Sequence, residues 1–180
     1  MTEVISVKHK AFIIKGEYQF FDKVKSEVLR LLKTCNTIPH NSSNVKASTH
    51  TEWDWEPDNI TFRNLKETIR EEIEKVFQPG QCVGSPREML ECKNFWANVY
   101  KKGDYAQSHC HKPAAFSFAY FVKSKWYDSP LVFTDSGKRI RPKEGTFVAF
   151  PGYIMHHVPK HRYNDTRITI SGNLDIKHIR

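Results

Sequence analysis

The second half of the chain alternates between apolar and polar positions with a period of two, which is typical of β-strands that bury one face. In the segment 91–100, one face would hold Phe95, Ala97 and Val99, and the other Asn94, Trp96, Asn98 and Tyr100. Similar segments, bounded by Gly, Pro, Asn or Asp, follow at 115–123, 131–134, 138–141, 146–150, 156–159 and 166–175. Roughly seven or eight closely spaced strands indicate a sandwich, a jelly roll or a barrel.

The first half of the chain shows a helical spacing of apolar residues instead. One helix is predicted from Tyr18 to 33–35, and a second begins after Asp58 or Asn59, either of which can cap it. The apolar positions are Phe21, Val24, Val28, Leu31 and Leu32 in the first helix and Phe62, Leu65, Ile69, Ile73 and Val76 in the second. We therefore expect two N-terminal helices to support a β-rich core.

Three further segments complete the first half of the chain. The β-branched run 4–15 predicts a strand, which Gly16 is expected to end. The polar connector 36–58 is long for a structureless loop, so we expect it to pack on the body or to serve as a lid. A loop containing Gly and Pro is predicted over 80–90.

Length and composition are those of one globular domain. The chain has 180 residues, of which 39% are hydrophobic and 27% charged, which is enough for a proper core. We expect a single domain over 1–180, with 1–90 as helical and strand support and 91–175 as the β core that carries the site.

The charge pattern narrows the class of partner only slightly. The net charge is +8, but the lysines are spread along the chain, which does not favour nucleic-acid binding.

No apolar run is long enough for a membrane span and no signal-peptide core is present. Four cysteines without a CxxC pair indicate reduced thiols. A cytoplasmic location is the resulting expectation.

Three histidines carry the strongest chemical signal. His109 and His111 follow the glycine turn at Gly103, and His156 follows Phe150-Pro151 in an apolar segment. Residues i and i+2 of a strand share a face, so the first two imidazoles can point together and a third can come from another strand. Imidazole suits iron, copper, nickel or zinc, and the pattern predicts a metal site.

The last predicted strand adds an anion-binding face. Arg167, Thr169, Ser171 and Asn173 would share one side, and Ile168, Ile170 and Leu174 the other. The planar guanidinium of arginine matches a carboxylate, and neighbouring hydroxyls can complete the hydrogen bonds.

These motifs follow one another in a specific order. They are Trp96-Ala97-Asn98-Val99-Tyr100, Gly103-Asp104, His109-Cys110-His111, the aromatic run 117–122, Phe150-Pro151, His156, and Arg167 before Asn173. Over about residues 90–175 this order resembles the Fe(II)/2-oxoglutarate-dependent oxygenases, in particular small phage and bacterial members and the prolyl hydroxylases.

The resemblance implies a mainly β fold, a double-stranded β-helix (jelly roll) with two flanking N-terminal helices. It implies a dioxygenase that uses Fe(II), 2-oxoglutarate and O2 to hydroxylate its substrate and releases succinate and CO2. The iron ligands would be His109, His111 and His156, and Arg167 would bind the distal carboxylate of 2-oxoglutarate.

The resemblance also implies further roles in the same pocket. A tyrosine should assist Arg167, with Tyr120 as the first candidate and Tyr100 as the second. Thr169 and Ser171 would support the same oxygen atoms. The candidate substrate contacts are Asn98, Trp96 and Asn173.

One position departs from the family pattern, because His111 stands where the usual metal triad has a carboxylate. Asp104 could supply a carboxylate instead, and His157 is the rival of His156. The remaining histidines, which are His9, His40, His50, His161 and His178, are expected at the surface.

Two other functions fit the same motifs. A cupin-type enzyme would use the three histidines without a 2-oxo acid, although Arg167 would then have no purpose. A jelly-roll protein without catalysis could keep the barrel alone. The substrate itself is not predicted beyond a peptide or protein residue or an anionic small molecule.

Overall fold

Two antiparallel β-sheets face each other, and two helices cover the outer side of the larger sheet. The computed structural model describes residues 11–39, 43–76 and 90–177. The helices are α1 (Phe21–Leu31) and α2 (Ile60–Val76). The strands are β1 (Ile14–Glu17), β2 (Val45–Lys46), β3 (Thr49–His50), β4 (Leu90–Tyr100), β5 (Tyr105–His109), β6 (Phe116–Lys123), β7 (Leu131–Phe133), β8 (Arg139–Ile140), β9 (Thr146–Pro151), β10 (His156–Val158) and β11 (Arg167–Ile176).

The strand order defines the architecture. The larger sheet has six strands in the order β1-β9-β6-β11-β4-β3, and the smaller has five in the order β2-β5-β10-β7-β8. Strands that are distant in sequence are neighbours in both sheets, and the pairs are antiparallel. This arrangement is a jelly roll, which confirms the predicted mainly β fold with two helices.

The predicted alternation on β4 and β11 is confirmed. Both faces of each strand are buried, but one face is apolar and the other carries polar side chains. The face toward the helices is apolar and includes Phe95, Ala97, Val99, Ile168, Ile170 and Leu174. The opposite face lines a cavity between the sheets and includes Trp96, Asn98, Tyr100, Arg167, Thr169 and Ser171. The period of two thus separates the core from the cavity.

Both helices bury most of the apolar stripe that the sequence predicts, although Val76 at the end of α2 is 55% exposed. Helix α1 buries Val24, Val28 and Leu31, and α2 buries Phe62, Leu65, Ile69 and Ile73. Of the two predicted caps, Asn59 is the one that functions, because its Oδ1 accepts the N–H groups of Thr61 and Phe62 at 3.0 and 3.3 Å.

The connector between the helices contributes to both sheets. Strand β2 pairs with β5 and β3 pairs with β4. Trp55 is 5% exposed and belongs to the core beneath the helices. The connector therefore packs on the body of the protein, which is one of the two arrangements predicted for it. The predicted loop over 80–90 lies almost entirely outside the described residues.

Gly16 does not end the first strand, contrary to the prediction. It lies inside β1 and is the cross-strand partner of Phe147. A Cβ at this position would come within 2.3 Å of the Phe147 ring. The glycine therefore makes room for a buried aromatic side chain rather than breaking the strand. Residues 4–10 of the predicted strand lie outside the described part of the chain.

Neither of the two described helices is long and apolar enough to cross a membrane.

We expect Gly16→Ala to destabilise the protein by about 1–3 kcal/mol, because the new methyl group must displace the Phe147 ring. The measurement is the midpoint of urea unfolding. Lys15→Ala is the matched control, since Lys15 is an exposed neighbour on the same strand. Equal midpoints for the two variants would show that the ring moves away without cost.

Candidate metal centre

Two of the three predicted histidines are direct neighbours across a strand pair. His109 is the last residue of β5 and His156 is the first residue of β10, and the two are cross-strand partners. His111 lies two residues beyond the end of β5, so the prediction that it shares a strand with His109 is wrong. Its N–H donates to the carbonyl of Gly152 at 2.7 Å, which anchors it beside β9.

The three imidazoles converge on one point. One ring nitrogen from each residue lies within 4.8 Å of those of the other two, so the group could hold a metal ion. The ring centroids of His109 and His156 are 4.4 Å apart, and each lies 5.0 Å from that of His111. The Nε2 atoms of His111 and His156 are 3.3 Å apart.

Backbone carbonyls orient two of the rings. The Nδ1 of His109 lies 2.7 Å from the carbonyl of Gln107, and the Nδ1 of His156 lies 3.0 Å from that of Ile154. A carbonyl only accepts, so Nδ1 carries the proton in both residues and Nε2 keeps its lone pair. Such outer hydrogen bonds fix the tautomer of a metal-binding histidine.

Burial favours the neutral form that metal binding needs. Desolvation lowers the pKa of His111 to about 3, with help from His156 and His109. It lowers the pKa of His156 to about 4, with help from His109, and it also lowers the pKa of His109. Because a ligating imidazole must not carry a second ring proton, these shifts keep all three rings in the neutral form that can bind a metal at neutral pH.

The two rival ligands lie elsewhere. His157 turns to the other side of β10, where its Nδ1 lies 3.1 Å from Oγ1 of Thr134. The Oδ2 atom of Asp104 accepts the N–H groups of Ser48 and Lys101 at 2.6 and 2.8 Å, and the carboxylate is not part of the histidine group.

Arg167 lines the same cavity as the histidines. It is 1% exposed, and its Nε and Nη1 have no hydrogen-bond partner among the described residues. Its guanidinium lies 4.8 Å from the ring centroid of Tyr100 and 5.8 Å from that of Phe121. Burial lowers its pKa. Buried N–H groups without acceptors are costly, so they mark a place where a ligand can supply them.

Tyr100, and not Tyr120, is the tyrosine beside Arg167. Tyr120 is fully buried on the opposite face of the larger sheet, where its ring packs edge-on against Tyr18 at 6.4 Å. The placement of Tyr120 beside Arg167 is therefore wrong, and Tyr100, the second candidate, is the one that lies there. Tyr100 is the cross-strand partner of Arg167, and burial raises its pKa, so it stays a neutral phenol.

The other predicted pocket residues divide into two groups. Thr169, Ser171, Asn98 and Trp96 line the cavity. Asn173 does not, because its amide is bound between Ser117 Oγ at 2.8 Å and Asn94 Oδ1 at 3.4 Å. The rest of the cavity wall is mainly apolar.

Two histidines that were predicted at the surface are buried, so that prediction is wrong for both. His50 is 4% exposed and its ring is parallel to that of Trp96 at 6.1 Å. His161 is 1% exposed and lies near the buried carboxylate of Asp128. Neither has a sequence context that signals burial. His9, His40 and His178 lie outside the described residues.

Comparison with solved structures places the fold. The chain is similar to the viral collagen prolyl hydroxylase of Paramecium bursaria Chlorella virus-1 in its 2-oxoglutarate complex, with 15% identity, a TM-score of 0.66, and 90% of this chain and 94% of that chain covered. It is similar to a prolyl hydroxylase from Trichoplax adhaerens in complex with a hypoxia inducible factor peptide fragment, with 13% identity, a TM-score of 0.66, and coverage of 91% and 83%.

A third neighbour is HygX from Streptomyces hygroscopicus with nickel, 2-oxoglutarate and hygromycin B bound, with 11% identity, a TM-score of 0.64, and coverage of 92% and 82%. No protein-family model matches the chain, and no curated protein sequence matches it. The chain therefore has the fold of the 2-oxoglutarate- and Fe(II)-dependent oxygenases.

We expect Co²⁺ to quench the tryptophan fluorescence of the protein, because the Trp96 ring centroid lies 6.0 Å from that of His111. In His109→Ala and in His156→Ala, half-maximal quenching should need at least about tenfold more Co²⁺, since each substitution removes a ligand. His157→Ala is the control and should bind as the unchanged protein does. If His109→Ala and His156→Ala bind Co²⁺ as tightly as His157→Ala does, the metal binds elsewhere.

Proposed function

We propose that this protein is an Fe(II)- and 2-oxoglutarate-dependent dioxygenase that hydroxylates a substrate C–H group and releases succinate and CO2. One observation carries the proposal: a single cavity holds three converging imidazoles and a buried arginine whose Nε and Nη1 have no partner among the described residues. A metal site alone fits many enzymes, whereas a metal site beside a buried carboxylate receptor fits a 2-oxo acid.

His109, His156 and His111 are the groups that would hold the iron. When bound, the iron would supply the activation of O2 and the oxidative decarboxylation of 2-oxoglutarate. The neutral triad adds no negative charge, so the carboxylate next to the keto group of 2-oxoglutarate would partly balance the divalent ion while the distal carboxylate pairs with Arg167. The backbone carbonyls of Gln107 and Ile154 keep two of the imidazoles aimed at the metal.

Arg167 would bind the distal carboxylate, with Nε and Nη1 as donors. The hydroxyl groups of Thr169 and Ser171 line the same cavity and can donate to the same oxygens. The rings of Tyr100 and Phe121 cover the guanidinium and keep water away from it, which strengthens its attraction for an anion. The chain thereby orients the 2-oxo acid with its keto end toward the histidines.

The substrate class proposed is a protein residue or a small anionic molecule. The Trichoplax neighbour was solved with a peptide and HygX with hygromycin B, so this fold binds both peptides and small molecules. Trp96 and Asn98 are the cavity residues proposed to contact the substrate. We also propose a cytoplasmic location and a single domain over 1–180.

A three-histidine enzyme that uses no 2-oxo acid is the second candidate, and His111 in place of a carboxylate favours it. Arg167 counts against it, because such an enzyme has no use for a buried guanidinium whose Nε and Nη1 find no partner among the described residues. Binding of 2-oxoglutarate separates the two functions.

We expect the protein with Fe(II), 2-oxoglutarate and O2 to form succinate. In the Ni²⁺-loaded protein, Arg167→Lys should weaken 2-oxoglutarate binding at least about tenfold, since lysine cannot form the bidentate pair. Arg139→Lys, at an exposed position, is the control. Succinate formation and calorimetric titration are the measurements. The proposal is wrong if succinate does not form and Arg167→Lys binds 2-oxoglutarate as the unchanged protein does.

We expect His111→Asp to raise the affinity for Fe(II) by about tenfold, because an anionic ligand replaces a neutral one beside a divalent cation. His111→Asn is the matched control, since it has nearly the same shape without the charge. Metal affinity is measured by competition with a chromophoric chelator. If the Asp and Asn variants bind iron equally, the side chain at position 111 does not contact the metal.

A further inference from the structure

One end of the β-sheets gathers basic side chains that are far apart in the sequence. Three loops meet there, namely 101–104 between β4 and β5, 124–130 between β6 and β7, and 159–166 between β10 and β11. The N–H of Gly103 donates to the carbonyl of His161 at 2.7 Å, and the hydroxyl of Ser129 donates to the carbonyl of Lys160 at 3.1 Å. These bonds join the three loops into one surface, which we call the basic end.

The charge that the basic end presents to solvent is positive. Its exposed cations are Lys101, Lys102, Lys125, Lys160 and Arg162. Of its three carboxylates, that of Asp128 is buried and that of Asp165 accepts the hydroxyl group of Tyr127. The third, Asp104, accepts backbone N–H groups. Since the cations face solvent while the carboxylates are held inside the loops, the surface favours an anionic partner.

Exposed aromatic rings stand among these cations. Trp126 is 76% exposed, the largest value among the big hydrophobic side chains of the described residues, and Tyr163 is 45% exposed. Tyr127 lies between them, because its ring centroid is 5.6 Å from that of Trp126 and 4.5 Å from that of Tyr163. Arg141 adds a further exposed cation, since its Nη1 donates to the carbonyl of Trp126 at 3.2 Å. An indole with so little burial inside its own chain is available to a partner.

A single-stranded nucleic acid matches both features of the basic end. Its phosphates pair with lysine and arginine, and its unpaired bases stack on exposed aromatic rings. A duplex offers the phosphates but keeps its bases stacked on one another. An acidic protein matches the composition less well, because lysine is depleted in protein–protein interfaces and four of the five loop cations are lysines.

We propose that the basic end is a binding surface for single-stranded nucleic acid, with Trp126 as the stacking platform and the loop cations as phosphate contacts. The surface is separate from the metal centre, since the histidines lie at the opposite ends of β5 and β10 from these loops. The proposal therefore goes beyond the proposed function and does not depend on it. The lysines are scattered along the sequence, and only the folded chain brings them together.

Stacking is tested by the fluorescence anisotropy of a labelled oligo-dT of about 15 nucleotides, the upper range of one single-strand site. The unchanged protein should bind it in about 50 mM salt. Trp126→Leu should raise Kd about five- to thirtyfold, because it removes the ring on which a base stacks. Trp126→Phe is the matched control and should stay within about threefold, since a ring remains. The proposal is overturned if oligo-dT does not bind, if Trp126→Leu binds it as the unchanged protein does, or if the two variants lose affinity equally.

The phosphate contacts are tested by the salt dependence of the same binding. The double variant Lys102→Gln/Arg162→Gln should reduce the slope of log Kd against log salt concentration by about 1.4, since each single-strand phosphate contact contributes about 0.7. The control is Lys33→Gln/Lys75→Gln, which makes the same change in net charge at exposed positions at or just beyond the C-terminal ends of α1 and α2. Its slope should equal that of the unchanged protein. An equal reduction in both double variants would show an effect of net charge alone and would overturn the assigned surface.

Competition with poly-glutamate separates a nucleic acid from an acidic protein. Unlabelled oligo-dT should displace the labelled strand at a concentration at least about tenfold lower than poly-glutamate of the same number of charges, because only the nucleic acid can also stack on Trp126. Equal displacement by the two competitors would indicate an acidic protein partner and would overturn the proposal. All of these titrations are made without metal and 2-oxoglutarate, so their outcome is independent of the dioxygenase activity.

Discussion

The pairing of β11 between β4 and β6 is the constraint on which the cavity depends. Strand β11 is central in the larger sheet, and its ladder with β4 runs from Arg167 opposite Tyr100 to Ile176 opposite Leu90. Side chains alternate along a strand, so a slip of one residue would turn every cavity residue into the helix-covered core. The apolar residues on the other face oppose such a slip, because they would then enter a cavity lined by polar groups. Core packing under the helices thus holds Arg167 in place.

The pattern along the chain was enough to predict this division of faces, but only where the two faces differ in polarity. On β11, Ile168 and Ile170 alternate with polar residues, and the assignment follows from the period. On β6, Phe118, Tyr120 and Phe121 are all aromatic, so the period gives no choice of face. A register shift in the β11–β6 ladder, between Ile168 and Thr169, adds to the difficulty. The resemblance to the prolyl hydroxylases suggested Tyr120 for the cavity, and the pattern along β6 could not correct that choice.

The histidines show a second limit of prediction from sequence. The HxH spacing located His109 and His111 together, yet His111 lies past the strand end and its position depends on the Gly152 carbonyl. His50 and His161 are buried through contacts with residues far away in sequence, among them Trp96 and Asp128. Local polarity predicts exposure for an isolated histidine, and only the tertiary fold reverses that expectation.

Four of the ten buried side-chain polar atoms that lack partners among the described residues belong to residues that line the cavity. Trp96 Nε1, Asn98 Oδ1 and two nitrogens of Arg167 lack hydrogen-bond partners among the described residues, and all three residues line the cavity. A stable core alone would be served better by apolar side chains at these positions, since each unsatisfied group costs about 1–3 kcal/mol. These unsatisfied groups therefore lower the stability of the folded protein in the part of the larger sheet whose register the core packing fixes. Such a cost is expected where binding and not stability determines the residues, because a ligand that supplies the missing partners recovers it on binding.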